Sequence, residues 1–234
     1  MSEELWDSRT RRLLGDESCD ALGKKHVLVL GLGGVGGYVA EFLARSGVGK
    51  LTLVDGDRIA VSNLNRQLPA LVSTLDRLKA EVVAERCRQI NPAGVFISVP
   101  RFIAPEDAAE LLGTASFDGA VDAIDDVPAK VAFLAECVRR NIPVVSSMGA
   151  GNKLDPEQVR TADIAKSFGC PLARAVRKKL REAGVTKGVP AVFSPEAVKT
   201  GAGFGTLSYM TACFGVHAAA RMIALLLRTA APGR

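Results

Sequence analysis

The 234-residue chain predicts an α/β fold: a mostly parallel sheet with helices on both faces, plus a C-terminal α/β extension ending in a long apolar helix. Three observations carry this. Short apolar runs rich in β-branched residues alternate with stretches whose apolar residues recur every three or four positions. The first such unit, HVLVLGLGGVGGYVAEFLARSGVGKLTLVDGD, sets Gly31, Gly33 and Gly36 at GxGxxG spacing between a strand and a helix, and its second strand ends at Asp55. The hydrophobic share of 48% is enough to bury a sizeable core.

The elements follow in chain order. Residues 1–25 form a polar N-terminal arm, helical in part, with Arg9, Arg11 and Arg12 clustered; a solvated basic helix face is the simplest reading of them. His26–Leu30 is a buried strand. Val35, Val39, Phe42 and Leu43 define the next helix, which Gly47 caps. Leu51–Val54 is the second strand, and the crossover VSNLNRQLPALV shows no strong periodicity. Leu75, Leu78, Val82 and Ile90 predict a helix over Thr74–Ile90, stopped by Asn91-Pro92. Val95–Val99 is a strand and Pro105–Leu112 a short helix opened by proline. Gly119–Ile124 is a strand running into the acidic turn Asp125-Asp126. Pro128–Arg140 is a helix and Ile142–Ser146 a strand. Residues 26–151 therefore read as a Rossmann-like nucleotide-binding core. Ligands of such sheets sit beyond the carboxyl ends of the strands, where the glycine loop, Asp55, Asp57, Asp122, Asp125 and the turn Met148–Asn152 should converge.

Residues 152–234 change character and are assigned to substrate binding and dimerisation within the same domain. Residues 152–170 look irregular. Pro171–Glu182 is an amphipathic helix on which Arg174, Arg177, Lys178 and Arg181 form one basic stripe. Val189–Phe193 is a short strand. Thr206–Leu227 is nearly long enough to span a bilayer, but His217 and Arg221 lie in its middle, so a core or dimer-interface helix is expected and no membrane span.

Composition bounds the setting. The net charge of +5 permits an anionic partner without demanding one. Five scattered cysteines form no CxxC pair, which fits a reducing compartment. The stretch MSEELWDSRTRRLL lacks the apolar centre of a signal peptide, so a cytoplasmic location is expected.

A Gly-rich loop before a helix N-terminus suits phosphates, and the acid after the second strand suits a ribose. A dinucleotide oxidoreductase is the default for that fingerprint. The polar loop with Asn63, Asn65, Arg66 and Gln67, Lys79 in the next helix, and Asp125 fit ATP with magnesium better. Singly these are a loop salt bridge, a solvated charge and a turn former. No GxxxxGK[ST] pattern is present, which argues against a P-loop enzyme.

The glycine unit followed by SNLNRQ, Lys79 and VDAIDD resembles the ubiquitin-activating-enzyme-like superfamily of adenylating enzymes, which includes thiamine- and molybdopterin-pathway activators. NRQLPAL, VDAIDDVPAK, SSMGAGNKLDP, DIAKSF with PLARAVRKKLRE, and VFSPEAV resemble one branch of it closely, the dehydratases that act on threonylcarbamoyladenosine in tRNA. That resemblance implies ATP-dependent cyclisation of a modified adenosine next to the anticodon, through adenylation of its threonine carboxylate. It places Gly31, Gly33, Gly34 and Gly36 at the nucleotide, with Asp55, Asp57 and Asp122 as its acids. Asn63, Arg66 and Gln67 line the phosphate side, Lys79 contacts phosphates, and Asp125 binds magnesium. It also implies a homodimer in which Arg9 or Arg12 reaches the partner's site; with tRNA as substrate, the stripe Arg174, Arg177, Lys178 and Arg181 reads either as a track for its backbone or as an ordinary solvated helix face. The missing CxxC pairs imply no structural zinc. Pro190-Ala191, where some relatives carry a cysteine, implies no covalent cysteine step. The segment from Val198 to Gly203 is short beside many relatives. Two rivals stay open: adenylation of the C-terminal glycine of a ubiquitin-like or sulfur-carrier partner, and a nucleotide-binding scaffold without turnover.

Overall fold

A computed structural model describes residues 5–197, 203 and 205–228. The short segment between Val198 and Gly203 falls mainly outside these residues. Seven strands form one sheet: β1 (His26–Leu30), β2 (Lys50–Val54), β3 (Val95–Val99), β4 (Gly119–Asp122), β5 (Val144–Ser147), β6 (Arg160–Asp163) and β7 (Pro190–Phe193). Their order is β3-β2-β1-β4-β5-β7-β6, with every pairing parallel except β6 against β7. Reversal of direction on either side of β1 is the topology that leaves a crevice above the strand ends.

Alternation along β1 divides the core in two. Val27 and Val29 join one apolar cluster, with α3 (Gly36–Arg45), α4 (Lys79–Ile90) and α8 (Ser208–Arg228). Leu28 and Leu30 join the other, with α5 (Ala108–Gly113), α6 (Val127–Arg139) and α7 (Pro171–Glu182). Both faces of the sheet are thus covered, as the uninterrupted apolar runs of its strands require. The arm folds as α1 (Ser8–Leu14) and α2 (Asp16–Gly23).

The long C-terminal helix is apolar because one side of it is core. Met210, Phe214, Ala218, Met222 and Leu226 are buried, and each large side chain among them contributes about 1.5–3 kcal/mol. Gly215 meets Tyr38 and the Val35 carbonyl so closely that any Cβ there would collide with α3.

Two sequence expectations need correction. The helix expected from Thr74 begins at Lys79. Residues 72–74 form a single 3₁₀ turn, held by the Thr74 hydroxyl between Leu71 and Pro69, and Asp76 at φ 63° interrupts any helix there. The stretch 152–170 is not wholly irregular, since β6 lies within it. Its sequence RTAD lacks alternation because an edge strand with partly exposed side chains needs none.

One buried polar cluster braces the sheet. Lys130 and Asp122 are both fully buried, with Nζ 2.6 Å from Oδ2. Lys130 also donates to the Ile124 carbonyl at 2.7 Å, and Ser146 donates its hydroxyl to Asp122. Removing one member strands a buried charge. Lys130→Met should therefore cost about 3–5 kcal/mol, and the double change Lys130→Met/Asp122→Leu should recover much of the loss. Urea unfolding of the three proteins checks this, read as shifts in midpoint at constant m.

Candidate functional site

Above the carboxyl ends of β1, β2, β4 and β5 lies a cleft of about 430 Å³. Its floor is the glycine loop. Gly31 adopts φ 86° hard against Ala123 and Ile124 at the end of β4, and a Cβ on Gly36 would lie 1.7 Å from the Gly31 carbonyl oxygen. These two glycines close the loop. Gly31, Gly33 and Gly34 line the cleft; Gly36 packs beneath it and does not.

Asp55 anchors the loop's first turn. Its Oδ2 accepts the Leu32 N–H at 2.7 Å and its Oδ1 the Asp57 N–H at 2.8 Å. Burial pushes its pKa up, while those two amides and Lys79 pull it down. Asp57 in turn binds Lys79, Nζ to Oδ2 at 2.6 Å. Lys79 opens α4 with its side chain 5% exposed, so its ammonium faces the cleft with its charge already balanced.

Arg66 is arranged differently. Its guanidinium donates to the Ser62 carbonyl at 2.6 Å and to Asn65 Oδ1 at 3.0 Å, and makes no salt bridge among the described residues. Both acceptors are neutral, so Arg66 carries its charge without an ion-pair partner among the described residues. Asn63 spends its side-chain oxygen on the Ala60 N–H, and Gln67 is buried beside Gly33. Asp125 is exposed at the cleft wall, after β4. Asp126 caps α6 through the Ala129 N–H at 2.8 Å.

The structure therefore brings together at one cleft Gly31, Gly33, Gly34, Asp55, Asp57, Asn63, Arg66, Gln67, Lys79 and Asp125. Two expectations fail on geometry, Asp122 as a cleft acid and the unbroken stripe on α7, while the arginine expected to act across a dimer is located only within its own chain. Asp122 is wholly buried against Lys130 and Ser146 and does not reach the cleft. Arg12 is exposed on α1 and does not line this chain's cleft, and neither does Arg9. Their neighbour Arg11 is tied to Asp7, Asp16 and Asp20. The basic stripe on α7 is not continuous either. Arg177 turns inward to donate to the Ser167 carbonyl and hydroxyl, both at 2.6 Å, while Arg174, Lys178 and Arg181 stay exposed.

Other lining residues carry no sequence signal of their own. Arg101, Phe102 and Ile103 follow β3, and Leu172 brings the first turn of α7 to the cleft. Thr206 and Thr211 bring the start of α8, with Thr211 directly against Gly34. The turn at Met148–Gly151 lies where the glycine pattern placed it.

The ThiF family matches residues 7–233. A tRNA threonylcarbamoyladenosine dehydratase of Bacillus subtilis is 43% identical over 190 residues, 81% of this chain and 74% of the relative. The Escherichia coli protein of that name is 36% identical, with 97% of each chain covered. A crystal structure of the Escherichia coli dehydratase with ATP superposes at TM-score 0.91 and 40% identity, covering 95% of this chain and 93% of that one. Its AMP complex gives the same TM-score and covers 96% of this chain.

The inward turn of Arg177 separates it from its helix neighbours in a measurable way. Arg177→Ala should lose about 1–2 kcal/mol of stability with its part-buried hydrogen bonds, while Arg174→Ala and Arg181→Ala should stay within about 0.5 kcal/mol of the parent. Denaturant midpoints of the three variants decide it.

Proposed function

The chain belongs to the ThiF family, and on that premise we propose that it catalyses the ATP-dependent dehydration of threonylcarbamoyladenosine in tRNA. The carrying observation is the match over nearly the full length of both chains to a dehydratase of that name, whose fold is shared and has been solved with ATP. The cleft supplies what the reaction needs.

The chemistry has two steps. A carboxylate is a poor electrophile, so the threonine carboxylate first attacks the α-phosphorus of ATP and expels pyrophosphate. The neighbouring ureido group then attacks the activated carbonyl, forms the ring, loses a proton and expels AMP. Water is removed from the substituent at the expense of ATP becoming AMP and pyrophosphate.

In this reading Asp55 takes the ribose, and the backbone at Gly33 and Gly34 approaches the phosphates before the first turn of α3. Arg66, with only neutral acceptors, stabilises the charge that develops on the α-phosphoryl oxygens and leaving group. Lys79 adds a second cation, whose balance with Asp57 the nucleotide's own charge would shift. Asp125 would hold magnesium. Among the described residues no group of three His, Cys, Asp or Glu side chains forms a dedicated metal cage. One carboxylate beside a nucleotide is the donor set magnesium uses with phosphates, so Asp125 fits it. The ion, when bound, would shield phosphate charge.

The tRNA would lie across the mouth of the cleft, beside the α7 turn at Leu172, with Arg174, Lys178 and Arg181 meeting its backbone. Arg177 drops out of that surface. A homodimer is part of the proposal: Val61, Leu71 and Val72 on the crossover and Tyr209 and Val216 on α8 are large, apolar and exposed. Arg12 would act only from a partner, since it does not reach its own chain's cleft. Action on tRNA would require a compartment that holds tRNA, and the cytoplasm is the one in this proposal.

Purified protein with ATP should yield AMP and pyrophosphate with modified tRNA, and neither with unmodified tRNA or without RNA. Arg66→Ala should lower turnover about a hundredfold or more at saturating substrates while its unfolding midpoint is unchanged. Product formation independent of the modification would overturn the function. Light scattering at micromolar concentration should give twice the chain mass, and an active monomer would remove the partner-arginine idea.

A further inference from the structure

Gln67 and Thr206 both line the cleft, and each carries a buried oxygen without a hydrogen-bond partner among the described residues: Oε1 of Gln67 and Oγ1 of Thr206. Gln67 is only 8% exposed. The two segments are tied together. Asn65 donates from Nδ2 to the Thr206 carbonyl at 3.2 Å, and the Thr211 hydroxyl reaches the Arg66 carbonyl at 3.4 Å. Both border the glycine loop, Gln67 at Gly33 and Thr211 at Gly34. Asp55 grips the same loop at Leu32 and marks the ribose side.

A buried oxygen left unpaired is costly, and a turn of the glutamine's terminal amide, or of the threonine side chain about its Cα–Cβ bond, is the small movement that offers it to a ligand in the cleft. The kind of ligand follows from proton count. Phosphates and carboxylates carry no hydrogen at neutral pH, so neither satisfies an amide oxygen. The Gln67 oxygen therefore needs an occupant that brings N–H or O–H groups, while the Thr206 hydroxyl, donor and acceptor at once, takes either kind. Of the nucleotide's donors, the ribose hydroxyls are engaged near Asp55 and the adenine amine lies across the ribose from the phosphates that Arg66, next to Gln67, would meet, which leaves the second substrate.

We infer that Gln67 and Thr206 form the subsite for the threonylcarbamoyl substituent, with the Thr206 hydroxyl pairing the threonyl hydroxyl and the Gln67 amide oxygen accepting a ureido N–H. This rests on the function proposed above and names the residues that orient its second substrate. Held in this way, the threonine carboxylate points between Arg66 and the glycine loop, towards the phosphorus it attacks.

Thr206→Val keeps the shape of the side chain and removes its hydroxyl. On tRNA carrying threonylcarbamoyladenosine it should lower kcat/KM about tenfold, and Thr206→Ser should restore most of that. The ATP dissociation constant without RNA should not change. On tRNA carrying the glycine analogue, which lacks the hydroxyethyl group, parent and variant should differ by less than about twofold, because the interaction being deleted is absent on both sides of the cycle. An equal loss on both tRNAs, weakened ATP binding, or no loss at all would return Thr206 to a packing role. A parent enzyme inactive on threonyl-modified tRNA, though folded and binding ATP, would sink the function itself and this subsite with it.

Discussion

Lys130 and Asp122 meet where solvent does not reach, at the end of β4 and under the first turns of α6. Taking both charges out of water is costly, and the cost is offset only because each finds further partners. Lys130 takes the Ile124 carbonyl, and Asp122 takes the Ser146 hydroxyl and the Ile124 N–H at 3.3 Å. The peptide at Ile124 is therefore held from both its ends. Gly31 packs against that same turn, and Asp125 follows it. The height of the glycine loop and the place of the aspartate at the cleft wall both descend from this ion pair. Asp122 thus matters to the site without touching what binds there.

The charges above that floor are unequal by construction. Lys79 comes with Asp57 and adds little net field to the free cleft. Arg66 comes with neutral acceptors and with no ion-pair partner among the described residues. An incoming triphosphate meets one unpaired cation and one latent one, beside the carboxylates of Asp55 and Asp125. The latent cation becomes available as the anion arrives and competes with Asp57.

Most of this was legible in the chain, for identifiable reasons. A parallel strand buried on both faces must be continuously apolar, so β1, β2 and β4 announced themselves. The glycine spacing and the acid after β2 placed the cleft, because backbone proximity to phosphate leaves few residue choices. What escaped was set by tertiary contact. β6 is an edge strand with no periodic signature, and the true start of α4 depended on one left-handed residue, Asp76. Arg177 shares its spacing with Arg174, Lys178 and Arg181, yet only the neighbouring Ser167 turn decides that it points inward. Asp122 reads like any acid at a strand end; its partner eight positions later in α6 makes it a brace. Thr206 had no motif at all, since its value comes from what the loop at Asn65 and Arg66 brings beside it.

The position of α8 in the chain has a consequence for how the protein is made. Val27, Val29, Val121, Val145 and Val192 belong to the same apolar cluster as Met210, Phe214 and Met222. During synthesis the sheet can pair strand by strand as the ribosome advances, but the face that α8 covers stays open until residues 208–228 have left the exit tunnel. At about 5–20 residues per second, the interval from β4 to α8 lasts on the order of ten seconds. A nascent chain carries a greasy valine surface for that time, which makes it a natural client for a holding chaperone near the ribosome. The same lateness has a benefit. Thr206 and Thr211 reach the cleft only with α8, so no truncated product can assemble the full site.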